Sequence, residues 1–320
     1  MKKAEYVKKA MNQSKEAFLF GIDFELDRGF FIENPMEQKE VLWRVGKNTN
    51  AHFCPSYKQG TYFRAQAIAY PEYQQKFGTL QTELHKGNSF LANLTVKTPL
   101  ETDYSLEEIF AKSNSPYALL IKDQFVCFSP ETFVTIEDTK ISANPMKGTI
   151  AINNSEEQAR NTLLSNYKER AEHYTIVDFI RSDLSRIAHN IKVEKLRYLD
   201  KLKTSHGEIL QLSSCISGEI KKEQKLGDVV FALLPAGSIS GAPKPSTLKI
   251  LEGIENEKRG YYCGVFGYFD GVKLDSAVMI RFVEKDSNKL YFRSGGGITI
   301  NSQCKNEYEE VLEKVYLPFV

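Results

Sequence analysis

The sequence predicts an α+β fold built on mainly antiparallel β-sheet. Strand-like and helix-like runs mix along the chain without the strict βα alternation of a doubly wound fold. Several strand-like runs also follow one another across short polar turns, as antiparallel neighbours do. No repeat, low-complexity tract or Pro/Gly-rich linker interrupts the 320 residues. They read as a single domain, 1–320, with 1–87 completing the sheets and 88–320 carrying the motifs described below.

Taken in order, Ala4 to Glu16 is polar and helix-like. Phe18-Leu-Phe-Gly-Ile-Asp-Phe24 is apolar and β-rich, a turn falls near Asp27-Arg-Gly29, and Phe30-Phe31 follows, a strand pair that adds to a sheet. Pro71 to Lys86 reads as a helix with proline near its first turn and Gly87 as its stop. Phe90 to Thr98 is a strand, and Ser105-Leu-Glu-Glu108 has the pattern of a capping box. Tyr117 to Ile136 alternates as two antiparallel strands. Ser155-Glu-Glu157 opens a helix that a bend near Ser165-Asn166 separates from a second, spanning about Tyr167 to His189. On that helix Glu169, Glu172, Ile176 and Phe179 or Ile180 share a face, so it packs while presenting carboxylates at its N-terminal turns. Gly227 to Leu234 and Ala242 to Ile254 are further helices, the latter starting at Pro243 after the N-cap chemistry of Ser240-Gly241. Tyr261 to Arg293 holds three strand-like runs broken at Asp270-Gly271 and Asp286-Ser-Asn288. Asn306 to Tyr316 closes the chain as an amphipathic helix.

Bulk properties narrow the function classes. A net charge of +1 gives no electrostatic reason to expect nucleic acid or an anionic membrane as partner. Five dispersed cysteines without a CxxC pair fit a reducing compartment better than a disulfide framework. The N-terminus lacks the apolar core of a signal peptide, and no stretch has the length of a membrane span. A cytoplasmic protein is expected.

The chemistry-bearing stretch is Ser142-Ala-Asn-Pro-Met-Lys147-Gly148-Thr149. Proline restricts φ on one side of the lysine and glycine leaves space on the other, so Lys147 is expected on a short rigid turn at a strand end. A lysine in a turn is ordinarily a solvated surface residue. This one keeps particular company: Ser129-Pro-Glu131, Lys168-Glu-Arg-Ala-Glu172-His173, Gly237-Ser-Ile-Ser-Gly-Ala-Pro-Lys244, Ser294-Gly-Gly-Gly297 and Asn306-Glu-Tyr-Glu-Glu310. In that order and spacing, from about Asn88 to the C-terminus, the set resembles the chorismate-utilising enzymes: anthranilate, aminodeoxychorismate, isochorismate and salicylate synthases. Pro-x-Lys-Gly-Thr is similar to aminodeoxychorismate synthase component I, where anthranilate synthase has alanine in place of the lysine.

The resemblance implies two large sheets packed face to face, helices outside and the site between them. It further implies Mg²⁺-dependent amination of chorismate at C4 to 4-amino-4-deoxychorismate, toward 4-aminobenzoate and folate. Ammonia would come from a glutamine amidotransferase subunit, since this chain shows no cysteine–histidine constellation for one. Lys147 would be the nucleophile that adds at C2, and Glu131 the general acid that helps the C4 hydroxyl leave. Glu172 and Glu310 would hold the metal, with Glu169 and Glu307, one turn earlier, positioning waters around it. These four acids are otherwise ordinary solvated residues at helix starts, favoured by the dipole. Zinc is excluded on spacing, because Glu172-His173 lacks the His-Glu-x-x-His pattern and a third histidine.

The substrate's carboxylates would meet Gly237 and Ser238 ahead of a helix, together with Tyr262, Arg281, Gly296 and Gly297. Thr149 and Gln211 complete the expected substrate contacts. Gly237 to Gly241 is neither a serine-hydrolase elbow, since Ile239 occupies its centre, nor a phosphate loop. Two residues depart from the family patterns. Gln211 stands where anthranilate and aminodeoxychorismate synthases have a histidine, and can donate a hydrogen bond but not carry charge. Leu91 stands where isochorismate and salicylate synthases have a lysine base, which disfavours hydration at C2. Anthranilate synthase component I, with pyruvate release, is the alternative activity, and a catalytically idle chorismate-binding homologue is the alternative from another class.

Overall fold

A computed structural model of the chain describes residues 1–51, 60–152, 155–204 and 207–319. Among them two antiparallel sheets form the frame, one of ten strands and one of nine. The ten-stranded sheet begins with Lys2–Lys3, Arg28–Glu33 and Phe18–Ile22, continues through Val265–Phe269 and Lys273–Val278, and passes to Thr132–Glu137 and Lys140–Ala143. It ends on Gly207–Ile220 and Met146–Ala151, with Ala188–Thr204 also paired to Gly207–Ile220. The nine-stranded sheet runs Gly241–Ala242, Leu91–Thr102, Lys289–Thr299, Phe282–Asp286, Phe125–Ser129, Tyr117–Ile121, Val41–Val45 and Asn48–Thr49, with Phe63–Ala65 beside Leu91–Thr102.

The sheets face each other across the main core. Trp43 of the nine-stranded sheet lies 4.6 Å, ring centre to ring centre, from Tyr268 of the other. The Tyr117 hydroxyl crosses the same gap and donates to Asp275 Oδ1 at 3.0 Å. Phe18, Phe20, Leu119 and Phe266 are fully buried in this core, the placement that strand-period alternation prepares. Helices Tyr70–His85 and Lys244–Glu255 cover the opposite face of the nine-stranded sheet, burying Tyr73, Leu80 and Leu251 against Leu94 and Val96. The expected capping box is present, with the Ser105 hydroxyl accepting from the Glu108 amide and the Glu108 carboxylate accepting from the Ser105 amide.

Several elements differ from their sequence reading. Tyr117 to Ile136 is three strands, not two, and the third belongs to the other sheet: the chain crosses between sheets at Pro130-Glu131. Tyr261 to Arg293 likewise holds four strands rather than three, because Lys273–Val278 and Phe282–Asp286 lie in different sheets with the crossing at Met279 to Arg281. The long helix ends at Ser185, and the chain turns into the hairpin Ala188–Thr204/Gly207–Ile220. Register shifts at three places in that hairpin break the two-residue period by which a strand is recognised. The helix Lys244–Glu255 has Pro243 at its N-cap and no side-chain capping bond, so the start chemistry expected of Ser240-Gly241 is not used. No helix among the described residues is long and apolar enough to cross a membrane.

One buried ion pair joins the frame to the site. The Arg259 guanidinium is 2.7 Å from Glu255 Oε1 and donates to the carbonyls of Ile239 at 3.0 Å and Asn93 at 2.6 Å. Glu255 Oε1 also accepts from the Thr95 amide at 3.0 Å. Both ions are nearly solvent-free, so removing one strands the other charge in the interior. Arg259→Leu is expected to cost roughly 3–5 kcal/mol of stability, read as a lowered urea midpoint. An unchanged midpoint would show that the pair carries no net weight.

Candidate active site

A cavity of about 530 Å³ opens between the two sheets. Its wall takes Asn93 and Gly297 from the nine-stranded sheet, Met146 and Gln211 from the ten-stranded one, and Glu172 and Glu310 from two helices. Glu131, Ser238, Tyr262 and Arg281 line the same space. Eight of the catalytic, metal and substrate-binding candidates, spread over 180 positions from Glu131 to Glu310, are thereby brought to the lining of one cavity.

Glu131 stands at the first crossing between sheets. Its amide donates to Ser129 Oγ at 3.1 Å and its carbonyl accepts from the Val278 amide at 3.2 Å. The Ser238 hydroxyl donates to Glu131 Oε1 at 2.5 Å, which orients the carboxyl group. Ser238 therefore serves the acid rather than standing ready for a substrate carboxylate alone. Gly237 lines a second cavity of about 30 Å³ behind Glu131 and Ser238. A Cβ at Gly237 would come within 2.4 Å of the Phe179 ring, so the helix Tyr167–Ser185 can approach only a glycine here. Three of the five amides along the stretch expected to bind an anion, Gly237 to Gly241, are engaged within the backbone. Gly237–Ser240 is itself a helical turn, in which the Ile239 and Ser240 amides donate to Ala236 O and the Gly241 amide to Gly237 O. Lys244 holds this turn from behind, its ammonium 2.6 Å from Asp183 Oδ2 and donating to Leu233 O at 2.9 Å. Burial lowers the pKa of Lys244 from its ordinary value and raises that of Asp183, each opposed by the charge of the other.

Lys147 lies within the strand Met146–Ala151, not on a turn at a strand end. Met146 pairs with Ser213 and Thr149 with Gln211, so three steps on one strand match two on its partner. The extra residue makes a bulge at Lys147-Gly148, where Gly148 has a φ of +79°. A bulge re-aims side chains, and glycine alone takes that backbone conformation at no steric cost. Met146 and Gly148, on either side of the lysine, both line the cavity. The side chains of Lys147 and Thr149, and that of Glu169, lie outside the described residues. The Gln211 amide group donates to the Met146 sulfur.

Glu172 reaches the wall from the helix Tyr167–Ser185, with Ile176 one turn further on the same lining. Its neighbour His173 is fully buried, with Nε2 2.6 Å from Ser214 Oγ, a packing contact rather than a metal position. Glu310 comes from the helix Cys304–Glu313. It sits two turns in, so a first-turn dipole effect explains Glu307 but not Glu310. Glu307 is 1% exposed and stands just behind the wall. An ideal Cβ at Gly296 would lie 3.8 Å from Glu307 Oε2 and 3.9 Å from both Glu310 Oε1 and Lys314 Nζ. Lys314, absent from the sequence reading, lines the cavity with its ammonium 2.7 Å from Glu310 Oε1 and donating to Gly295 O at 2.9 Å. Its spacing of four from Glu310 was the available signal.

The donor set suits a hard cation with few protein ligands. Among the described residues no three His, Cys, Asp or Glu side chains converge as ligands. Two carboxylates lining one cavity, with room for waters and substrate oxygens, match the habit of Mg²⁺ and not that of a structural zinc or an all-protein calcium cage.

Tyr262 is 3% exposed, and burial raises its phenol pKa well above the ordinary value, so it stays a neutral hydroxyl. Arg281 occupies the second sheet crossing with a φ of +53°. Its Nη1 donates to Lys314 O at 3.3 Å, and its guanidinium lies 4.9 Å from the centre of the Tyr316 ring. Its buried Nε, like the buried hydroxyl of Ser294, has no hydrogen-bond partner among the described residues. Buried donors of this kind ask for a ligand or water acceptor. Gly295 to Gly297 is regular strand paired to Thr95, Leu94 and Asn93. The strands approach closely here: a Cβ at Gly295 would sit 2.9 Å from Leu94 O.

The sequence profile of the chorismate binding enzymes matches residues 32–318. A PabA-like protein of Haemophilus influenzae is 48% identical, with 98% of this chain and 96% of that protein covered. Aminodeoxychorismate synthase component 1 of Escherichia coli is 30% identical over 76% of this chain, which spans 56% of that longer protein. Anthranilate synthase component 1 of Thermococcus kodakarensis is 32% identical over 72% of this chain and 55% of its own length. In three dimensions, anthranilate synthase component I from Streptococcus pneumoniae superposes with a TM-score of 0.75 at 22% identity, covering 97% of this chain and 84% of its own.

Proposed function

The chain belongs to the chorismate binding enzyme family, as a chorismate-utilising enzyme of the aminodeoxychorismate/anthranilate synthase type, and we propose that its reaction is amination of chorismate at C4. The observation that carries this choice is a lysine at position 147, in a bulge whose flanking residues line the cavity. Its amine, unprotonated when it reacts, adds at C2 while the ring's conjugated double bonds shift and the C4–O bond breaks. Glu131 gives its proton to the departing hydroxyl, which leaves as water. Ammonia then adds at C4, the double bonds shift back, the C2–N bond to Lys147 breaks, and the proton lost by the new amine is returned to the enzyme. The enolpyruvyl group stays on the ring.

Glu172 and Glu310 would hold Mg²⁺, with Glu169 and Glu307 beyond them. The ion supplies positive charge that binds the ring carboxylate. Arg281, Tyr262 and the backbone at Gly296-Gly297 would hold the pyruvyl carboxylate, the guanidinium as a charge-assisted donor. Thr149 and Gln211 pair across neighbouring strands, and Gln211 lines the cavity; both would contact the substrate. The relatives named as aminodeoxychorismate synthase component 1 support an amidotransferase subunit as the source of ammonia. The expected product is the precursor of 4-aminobenzoate, and a cytoplasmic setting suits it.

The test is incubation of the protein with chorismate, ammonium and Mg²⁺, followed by mass spectrometry and fluorescence. 4-Amino-4-deoxychorismate without pyruvate is the expected product. Fluorescent anthranilate with released pyruvate would replace this reading by the C2 reaction, and no turnover would mark an idle homologue.

Glu131→Gln keeps the Ser238 contact but cannot supply the proton. It should lower kcat by roughly 10²–10⁴-fold while the KM for chorismate changes little, measured by coupled product formation. A kcat within a few-fold of wild type would place the acid elsewhere.

A further inference from the structure

We propose that Lys314 is a built-in counter-cation that competes with the metal for Glu310 and weakens metal binding in the substrate-free protein. The inference rests on the metal reading given above for Glu310. The Lys314 ammonium is 2.7 Å from Glu310 Oε1, the distance of a charge-assisted hydrogen bond. Both side chains line the cavity while staying partly open to solvent, Lys314 by 29% and Glu310 by 46%. Lys314 caps the helix Cys304–Glu313 one turn beyond Glu310, where the helix end favours a cation. Its ammonium is steadied from the other side by Gly295 O at 2.9 Å, in the strand that forms the cavity wall.

A magnesium ion binds a carboxylate oxygen at about 2.1 Å. An ammonium within hydrogen-bonding distance of that oxygen would stand beside the ion, two like charges in a partly enclosed wall. Metal entry therefore requires Lys314 to give up Glu310 Oε1 and fall back on Gly295 O or solvent. At Glu310 the ammonium therefore balances negative charge that the metal would otherwise balance. Substrate oxygens add ligands for the metal and tip this competition, which couples tight metal binding to the presence of substrate.

The readout is metal affinity without substrate, not activity. Mn²⁺ binding is followed by electron paramagnetic resonance and Mg²⁺ binding by calorimetry, for wild type, Lys314→Met and Lys314→Arg. Methionine keeps the length and apolar stem and removes the charge, so affinity should tighten by about tenfold or more. Arginine keeps the charge and should stay within about threefold of wild type, which a purely structural role for the side chain would not predict. Melting temperatures verify that both variants fold, and Lys314→Leu serves in place of methionine if that variant does not. Unchanged or weaker metal binding in the folded uncharged variant, with wild type binding metal and Glu310→Gln impairing it, overturns the competition alone. If wild type takes up neither metal at any concentration tried, the metal reading of Glu310 fails and this inference fails with it.

Discussion

Lys147→Ala should lower the formation of 4-amino-4-deoxychorismate by on the order of 10³-fold or more, the scale on which enzymes lose rate when a covalent nucleophile is removed. Binding of chorismate should survive, because the acids and Arg281 that would hold its carboxylates come from other elements of the wall. With no amine at C2, ammonia can attack that carbon directly, and a trace of 2-amino product is expected alongside the loss. Wild type incubated with chorismate and Mg²⁺ but no ammonia should carry an adduct on Lys147, located by peptide mass spectrometry. An Ala variant that makes the 4-amino product at the wild-type rate would remove Lys147 from the chemistry.

Glu172→Gln and Glu310→Gln should each depress kcat/KM at ordinary Mg²⁺ by more than about 100-fold, since each takes a negative ligand from a site with few. Each glutamine is isosteric with the carboxylate it replaces, so melting temperatures should stay near wild type. Raising Mg²⁺ should restore part of the activity, because the loss lies in occupancy and not in the reacting groups. Full activity of either variant at low Mg²⁺ would place the metal elsewhere. The two variants should also differ in one respect: Glu310→Gln breaks the contact with Lys314, whereas Glu172→Gln leaves it intact.

Much of this architecture is legible in local sequence. The capping box at Ser105 uses residues three apart, and the helix Tyr70–His85 carries its start and stop in Pro71 and Gly87. The antiparallel α+β class follows from strand-like runs joined by short polar turns. The motifs around Glu131, Glu172 and Glu310 are readable along their own elements, whereas Tyr262 and Arg281 are picked out only by the family resemblance.

What local pattern could not supply is which sheet a strand joins. Phe125–Ser129 and Thr132–Glu137 both read as strands, yet Pro130-Glu131 carries the chain from one sheet to the other, and Met279 to Arg281 carries it back. Those two crossings put Glu131 and Arg281 on the cavity wall. Alternation reports only that one face of a strand is buried, while the partner is chosen by contacts more than a hundred residues away, such as Thr132 with Ala277. The bulge at Lys147 has the same origin: one extra residue against a strand sixty positions on is invisible until the two strands pair. Sequence alone thus determined the fold class, the family resemblance and the chemical identity of the candidate groups. Tertiary structure decided which of them share a wall, that Ser238 orients Glu131, and that Lys314 stands against Glu310, because each depends on long-range packing that no local period encodes.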